Sequence, residues 1–166
     1  MWTEVALDSR QTSGNSEYRN GRLLLRGPAD VRFAISHLQQ GDRIRICARS
    51  ESQRFSISIG GGGTWFYHFN PRVAENVLVQ NSHTDGRWGR EERVSLPADL
   101  GLGREFELTL CRAKDGFIVV LGKREMAAYR DRAPLDKIDT ISLTVDEGVL
   151  TLTSLRVGTS DETVAV

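Results

Sequence analysis

The chain has little that would draw it to a strongly charged or apolar partner. Its 166 residues carry 22 Lys plus Arg against 22 Asp plus Glu, so no net field pulls it onto nucleic acid or an anionic membrane. Lysine itself is scarce, confined to Lys114, Lys123 and Lys137. The remaining cations are arginines, whose planar fork of donors suits hydroxyls and carboxylates. No apolar run approaches the length of about 18 to 20 residues that a membrane helix needs, so membrane insertion is not expected. The opening M-W-T-E-V-A-L-D-S-R places acidic residues where an export signal needs a basic stretch and an unbroken apolar one. There is no N-x-S/T sequon, and there are only two cysteines. Cys47 alternates with Arg43, Arg45 and Arg49, and Cys111 with Glu105, Glu107 and Thr109, so both are predicted to face outward as separate thiols. These absences suit a reducing, cytoplasmic setting and are compatible with release by a route that needs no signal peptide.

Helical periodicity is also missing. In its place the text alternates at period two: Ile44, Ile46 and Ala48 against three arginines, then Phe55, Ile57 and Ile59 against Arg54, Ser56 and Ser58. Arg104–Arg112 repeats the pattern with Phe106, Leu108 and Leu110 on one face. Short strands are further expected at Arg22–Arg26, Val31–Ser36, Phe117–Leu121 and Met126–Arg130, with Ile138–Val145 and Val149–Val157 forming a closing hairpin around Asp-Glu-Gly. Ten or more short strands punctuated by Gly, Pro and Asp predict an all-β sandwich of two antiparallel sheets. At this length one domain with one core is expected. The polar run Q-T-S-G-N-S marks residues 1–30 as an N-terminal extension, partly disordered, with the domain proper at 31–158 and a tail at 159–166.

The Gly60–Gly63 run lacks the Lys-Ser/Thr pair and the following helix of a phosphate loop and is read as a hairpin turn. The informative stretch is Trp65–Arg93. His68, Asn70 and Arg72 recur at every second position and so project from one face of a strand, while Tyr67 and Phe69 point to the core. Three polar groups on one face of a central strand are hard to reconcile with a core role. Asn81 shares a face with Val79 and Val77, an amide beside a small apolar floor. Trp88 follows the polar turn S-H-T-D-G-R, at the rim of a sheet, where an indole serves equally well as a stacking platform or as a closing residue of the sandwich. Glu91 and Arg93 share a face, either as an exposed ion pair or, with Arg72, as an oriented polar network. Such a mixture of hydroxyl-reading donors and acceptors with one aromatic plane is what a sugar ring demands.

H-F-N-P-R at 68–72, V-x-N at 79–81 and W-G-x-E-x-R at 88–93 closely resemble the carbohydrate-recognition signature of the galectins, and Q-R-F-S-I-S-I and L-Q-Q-G-D resemble its flanking text. The resemblance covers about Val31 to Val157. It implies a jelly-roll sandwich and a metal-independent, non-catalytic lectin for β-galactosides of the lactose and N-acetyllactosamine type, with no cofactor. By this resemblance His68, Asn70 and Arg72 would read the axial 4-hydroxyl of galactose and Trp88 would stack on its apolar face. Asn81 and Glu91 would take the 6-hydroxyl, and Glu91, Arg93 and Arg72 would reach the adjoining sugar. Arg54, with Val79, resembles positions that extend the groove in some galectins. The segment V-A-E-N at 73–76 is shorter than most animal galectins have, which weakens the expectation for the second sugar. The competing reading is a galectin-fold module for protein interaction or structural packing, with weak or altered sugar binding. A glycosidase is disfavoured because Glu91 and Glu92, as neighbours on a strand, face opposite ways and cannot flank one glycosidic bond. A calcium lectin is disfavoured because acidic residues near the site are not clustered as oxygen ligands. The expected partners are β-galactoside glycans and glycoconjugates, and a homodimer would supply the multivalency that a shallow sugar site needs.

Overall fold

In a computed structural model, which describes residues 1–11, 14–134 and 137–159, the alternating segments form thirteen strands. In chain order they are β1 (Trp2–Glu4), β2 (Ser16–Arg19), β3 (Arg22–Arg26), β4 (Ala29–Ala34), β5 (Arg43–Gly61), β6 (Thr64–Arg72), β7 (Val77–Thr84), β8 (Arg87–Trp88), β9 (Glu92–Ser95), β10 (Arg104–Arg112), β11 (Gly116–Leu121), β12 (Arg124–Arg130) and β13 (Thr140–Gly158). Among the described residues every strand pairing is antiparallel. No helix among the described residues is long and apolar enough to cross a membrane.

The architecture is the expected all-β sandwich, but its two layers are not separate sheets. β5 and β13, each 19 residues long, run through both layers and stay paired to each other along most of their length. The front layer is β4, the first half of β13, the second half of β5, then β6, β7 and finally β8 and β9 side by side. The back layer is β12, β11, β10, the first half of β5, the second half of β13, β3 and β2. The expected hairpin at Ile138–Val157 is therefore corrected to one bent strand. The bend is chemical in origin. Ser52 Oγ accepts from Arg54 N at 3.1 Å and donates to Arg54 O at 2.8 Å, so hydroxyls replace ladder bonds where β5 turns. Opposite it, Gly148 at φ 77° leaves the register shifted, and an added Cβ there would lie 2.4 Å from Glu51 O.

Between the layers, inward-facing residues form one core. Tyr67 stacks on Phe117 at 5.2 Å, and Phe55 meets Phe106 at 6.1 Å. Fully buried side chains such as Phe69, Ile57 and Leu143 each contribute about 1.5–3 kcal/mol by leaving water. Burying one face in this way is what obliges the alternate residues of β6 and β7 to face out.

The N-terminal segment differs from its expectation as an extension. β1 adds to β13 with Trp2 opposite Gly158, and β2 and β3 continue the back layer. Trp2 lies against Gly158, with the guanidinium groups of Arg43 and Arg45 4.8 and 4.2 Å from its ring. Leu23 and Leu25 are fully buried, so this segment carries core residues despite its polar text. Thr12, Ser13 and the expected tail beyond Thr159 lie outside the described residues. The two cysteines are free; Cys47 is half-buried and Cys111 buried, which corrects their reading as exposed thiols. Cys111 lies opposite Ile118 on β11, an apolar neighbour on the outward face that shields it.

Candidate functional site

The outward face of the front layer holds a groove of about 480 Å³. Register explains its contents. Ser58 pairs with His68 and His68 with Asn81, so three polar residues from three strands form one rung; Asn70 pairs with Val79 and Val79 with Arg93 on the next. Their intervening neighbours, Ile57 and Phe69, are buried.

Trp88 is placed by a tight turn. Thr84 pairs with Arg87 across a two-residue connection, Asp85-Gly86, in which both residues have positive φ, 53° and 75°. This is the signature of a type I′ hairpin. It sets Trp88 opposite His83, after which the edge strand breaks before β9 resumes at Glu92. The indole remains 51% exposed, the most exposed aromatic ring in the groove. Two imidazoles support it: His68, with ring centroids 4.5 Å away, and His83, edge-on at 4.9 Å.

The polar groups are bonded to one another before any ligand arrives. Asn70 Nδ2 donates to Phe55 O at 2.7 Å, and Arg72 Nε donates to Asn70 Oδ1 at 2.9 Å. Arg72 Nη2 then donates to Glu91 Oε2 at 3.0 Å, while Arg93 holds Glu91 Oε1 through Nε and Nη2 at 3.1 and 2.8 Å. The Arg93 hydrogen bonds, with Arg72 adding to them, keep the Glu91 carboxyl below the usual carboxylate range. His68 Nδ1 lies 2.7 Å from Ser58 Oγ, which leaves Nε2 as its free nitrogen. Burial, reinforced by the positive charges of Arg72 and Arg54, lowers the His68 pKa to about 4. The imidazole is therefore neutral at pH 7 and suits a hydroxyl rather than an anion.

The structure thus gathers His68, Asn70, Arg72, Asn81, Trp88 and Glu91 on one groove, together with Val79 and Arg54 from the extended set. Arg93 stands beside the groove and orients Glu91 instead of lining it. Several participants were not singled out from sequence. Glu75, in the short 73–76 turn, lies 3.7 Å from both Arg72 and Arg93 and joins their ionic network. Arg132 reaches Asn81 Oδ1 at 3.2 Å and Glu92 at 2.9 Å, from a position secured by the bidentate Arg112–Asp131 pair next to it. Asn81 Nδ2 donates to Gly89 O at 2.9 Å, so this amide is held at both ends. Trp65, Ser56, Ser142 and Thr144 also line the groove. The Ser56 and Ser58 alternation was a usable signal; nothing in the text pairs Arg132 with Asn81. Among the described residues no group of three or more His, Cys, Asp or Glu is arranged to hold a metal ion.

The family model for galactoside-binding lectins matches residues 32–154. The chain is 33% identical over 102 residues to a 32 kDa β-galactoside-binding lectin of Haemonchus contortus, a match covering 58% of this chain but only 35% of that protein. It is 32% identical over 120 residues to human galectin-7, covering 69% of this chain and 85% of the relative. Among solved structures, the galectin LEC-6 of Caenorhabditis elegans aligns with a TM-score of 0.70 at 22% identity, over 82% of this chain and 96% of that one. Chicken galectin 2 aligns with a TM-score of 0.67 at 25% identity, over 76% and 96% respectively.

Proposed function

The chain belongs to the galactoside-binding lectin family, and from that premise we propose that it is a metal-independent receptor for β-galactosides of the lactose and N-acetyllactosamine type. It is a carbohydrate-binding lectin domain and not an enzyme. The observation that carries the finer reading is the exposed Trp88 indole standing 4.5 Å from the neutral imidazole of His68, beside the bonded series Asn70–Arg72–Glu91. A galactose whose apolar face lies on Trp88 presents its axial 4-hydroxyl to His68, Asn70 and Arg72. An equatorial 4-hydroxyl points away from that trio, which is the basis of selection against glucose. On the same pose the 6-hydroxyl meets Asn81 and Glu91, and the reducing-side sugar meets Arg72 and Glu91, with Arg93 fixing the carboxylate.

The 73–76 turn supports rather than removes that second contact. Its Glu75 neutralises Arg72 and Arg93, so their guanidiniums are oriented yet carry little uncompensated charge toward a neutral sugar. One stack and a few hydrogen bonds correspond to roughly −4 to −7 kcal/mol, a millimolar to micromolar affinity. Useful binding to glycoconjugates then calls for more than one copy of the domain, and a homodimer is the simplest arrangement. Two free, partly or fully shielded thiols suit a cytoplasmic home with later release. Calorimetric or NMR titration with lactose tests the reading. Saturable binding that persists in EDTA, with glucose inert, is expected; no heat or shift at millimolar lactose would sink it.

A further inference from the structure

Asn81 is gripped by both layers of the sandwich. β7 carries it in the front layer, while the chain at the end of β12, on the edge of the back layer, bonds to three successive residues there. Gln80 Nε2 donates to Ala128 O at 3.3 Å, Tyr129 OH donates to Ser82 Oγ at 2.9 Å, and Arg132 Nη1 donates to Asn81 Oδ1 at 3.2 Å. Arg132 does not line the groove. Its guanidinium passes over Gly89, where an added Cβ would lie 2.7 Å from Nη1, and lies 5.0 Å from the centre of the Tyr129 ring. Its other arm, Nη2, donates to Glu92 Oε2 at 2.9 Å. The residue before it is fixed as well: Asp131 takes both arms of the buried Arg112, and its own N–H donates to Asp115 O at 2.9 Å.

The valences of the amide show what this grip does. An amide oxygen accepts two hydrogen bonds and the NH2 group donates two. Asn81 Oδ1 receives Ser82 N at 2.8 Å and Arg132 Nη1, so both its lone pairs are taken; Nδ2 gives one hydrogen to Gly89 O at 2.9 Å, so one N–H remains. The residue is only 4% exposed, which leaves water little room to alter the count. Turned over, the amide would set its NH2 against a backbone N–H and a guanidinium, and its oxygen against Gly89 O. Arg132 therefore takes away the acceptor and bars the reversed amide. Without it, Oδ1 keeps a lone pair for the groove and the amide is free to present either end. Next to the remaining N–H, the Glu91 carboxylate offers lone pairs alone. A donor beside an acceptor matches a hydroxyl, which accepts from one and donates to the other, and leaves both unmatched against a methyl group.

We propose that Arg132 is a positioning residue for the sugar site: by occupying Asn81 Oδ1 it leaves the amide a pure donor and so sets the preference for a free 6-hydroxyl on the bound galactose. The proposal rests on the galactoside reading above. Calorimetry with lactose and with 6′-deoxylactose, whose galactose unit has a methyl group in place of the hydroxymethyl, tests it. The native chain should prefer lactose by roughly 10-fold or more, the scale of two net hydrogen bonds. In Arg132→Met, which keeps a stem against Tyr129 and drops the fork of donors, lactose should weaken roughly 3- to 10-fold while the deoxy sugar changes by less than about 2-fold. Arg132→Lys keeps a donor on a similar stem and should recover part of the preference. A merely structural role would lower both sugars together. No preference in the native chain, equal losses for the two sugars, a preference unchanged in Arg132→Met, or none recovered in Arg132→Lys overturns the role of Arg132 alone. Should melting curves show that Arg132→Met does not fold, Glu92→Gln decides, because it loosens the guanidinium from its half-exposed anchor: the preference should narrow roughly 2-fold, and an unchanged one overturns the proposal. Failure of lactose itself to bind the native chain overturns the reading beneath it.

Discussion

The two outward faces of the sandwich are written in the same period-two alphabet, yet they use it differently: the front groove sets an open aromatic ring beside interlinked polar groups, and the back face pairs its charges off. On the back layer Arg45 faces Glu107 at 3.4 Å, Arg49 faces Glu51 at 3.4 Å and Arg156 faces Glu4 at 2.5 Å. The aromatic ring of that face, Trp2, is covered by two guanidiniums. On the front layer the charges converge, the carboxylate of Glu91 being shared by Arg72 and Arg93, and the indole of Trp88 is left open. Alternation of polar residues therefore marks a solvent face and nothing more. What distinguishes the front is an uncovered aromatic plane beside polar groups that already satisfy one another and keep a free side.

The largest effect should come from exchanging the two indoles for methyl groups. Trp88→Ala is expected to cost about 1 to 3 kcal/mol of lactose affinity, roughly 5- to 150-fold, with little change in melting temperature, because the ring is half in water and carries no core contact. Trp2→Ala should do the reverse, lowering the melting temperature through loss of the β1 anchor while leaving lactose binding alone. Calorimetry and thermal melts on both variants read the contrast directly. Normal lactose binding by Trp88→Ala would remove the platform from the site.

A smaller effect separates the two kinds of ion pair. Glu91→Gln should weaken lactose by about 1 kcal/mol, since it loosens Arg72 and Arg93 together and removes a charged acceptor. Glu107→Gln, which breaks a half-exposed pair on the back, should leave lactose affinity unchanged and shift stability by less than about 0.5 kcal/mol. Equal effects of the two substitutions on lactose titrations would mean that the front network is no more than a surface lattice.

The same contrast shows what could be read from the text. His68, Asn70 and Arg72 were legible as one face because strand geometry is local, and Trp88 was legible at a rim because Asp85-Gly86 is a local turn signal. The continuity of β5 and β13 was not legible. It depends on Ser52 closing its bonds on the backbone of Arg54 and on Gly148 fitting under Glu51 O, neither of which alters the hydrophobic pattern. Arg132 and Glu75 were missed for a related reason: their roles arise from where the turns after β12 and β6 arrive in space. Polar text at Trp2–Arg19 likewise hid a strand whose anchor is one indole seated between Gly158 and two arginines.

The smallest expected effect concerns acid. His68 remains neutral until pH falls to about 4, because burial and the nearby Arg72 and Arg54 charges oppose its protonation, and Glu91 is held ionised below the usual carboxylate range. Lactose affinity should therefore be nearly flat from pH 7.5 to 5, measured by titration at constant ionic strength. Stability should not be flat. An unfolded histidine takes up its proton near pH 6.5 while the folded one does not, so the unfolded state binds more protons between about pH 6.5 and 4 and stability falls as pH drops through that window. In His68→Gln, which cannot titrate, that part of the loss should disappear. A lactose affinity that instead fell tenfold between pH 7 and 6 would show that His68 is protonated in the free protein, contrary to its shielded place between Ser58 and Trp88.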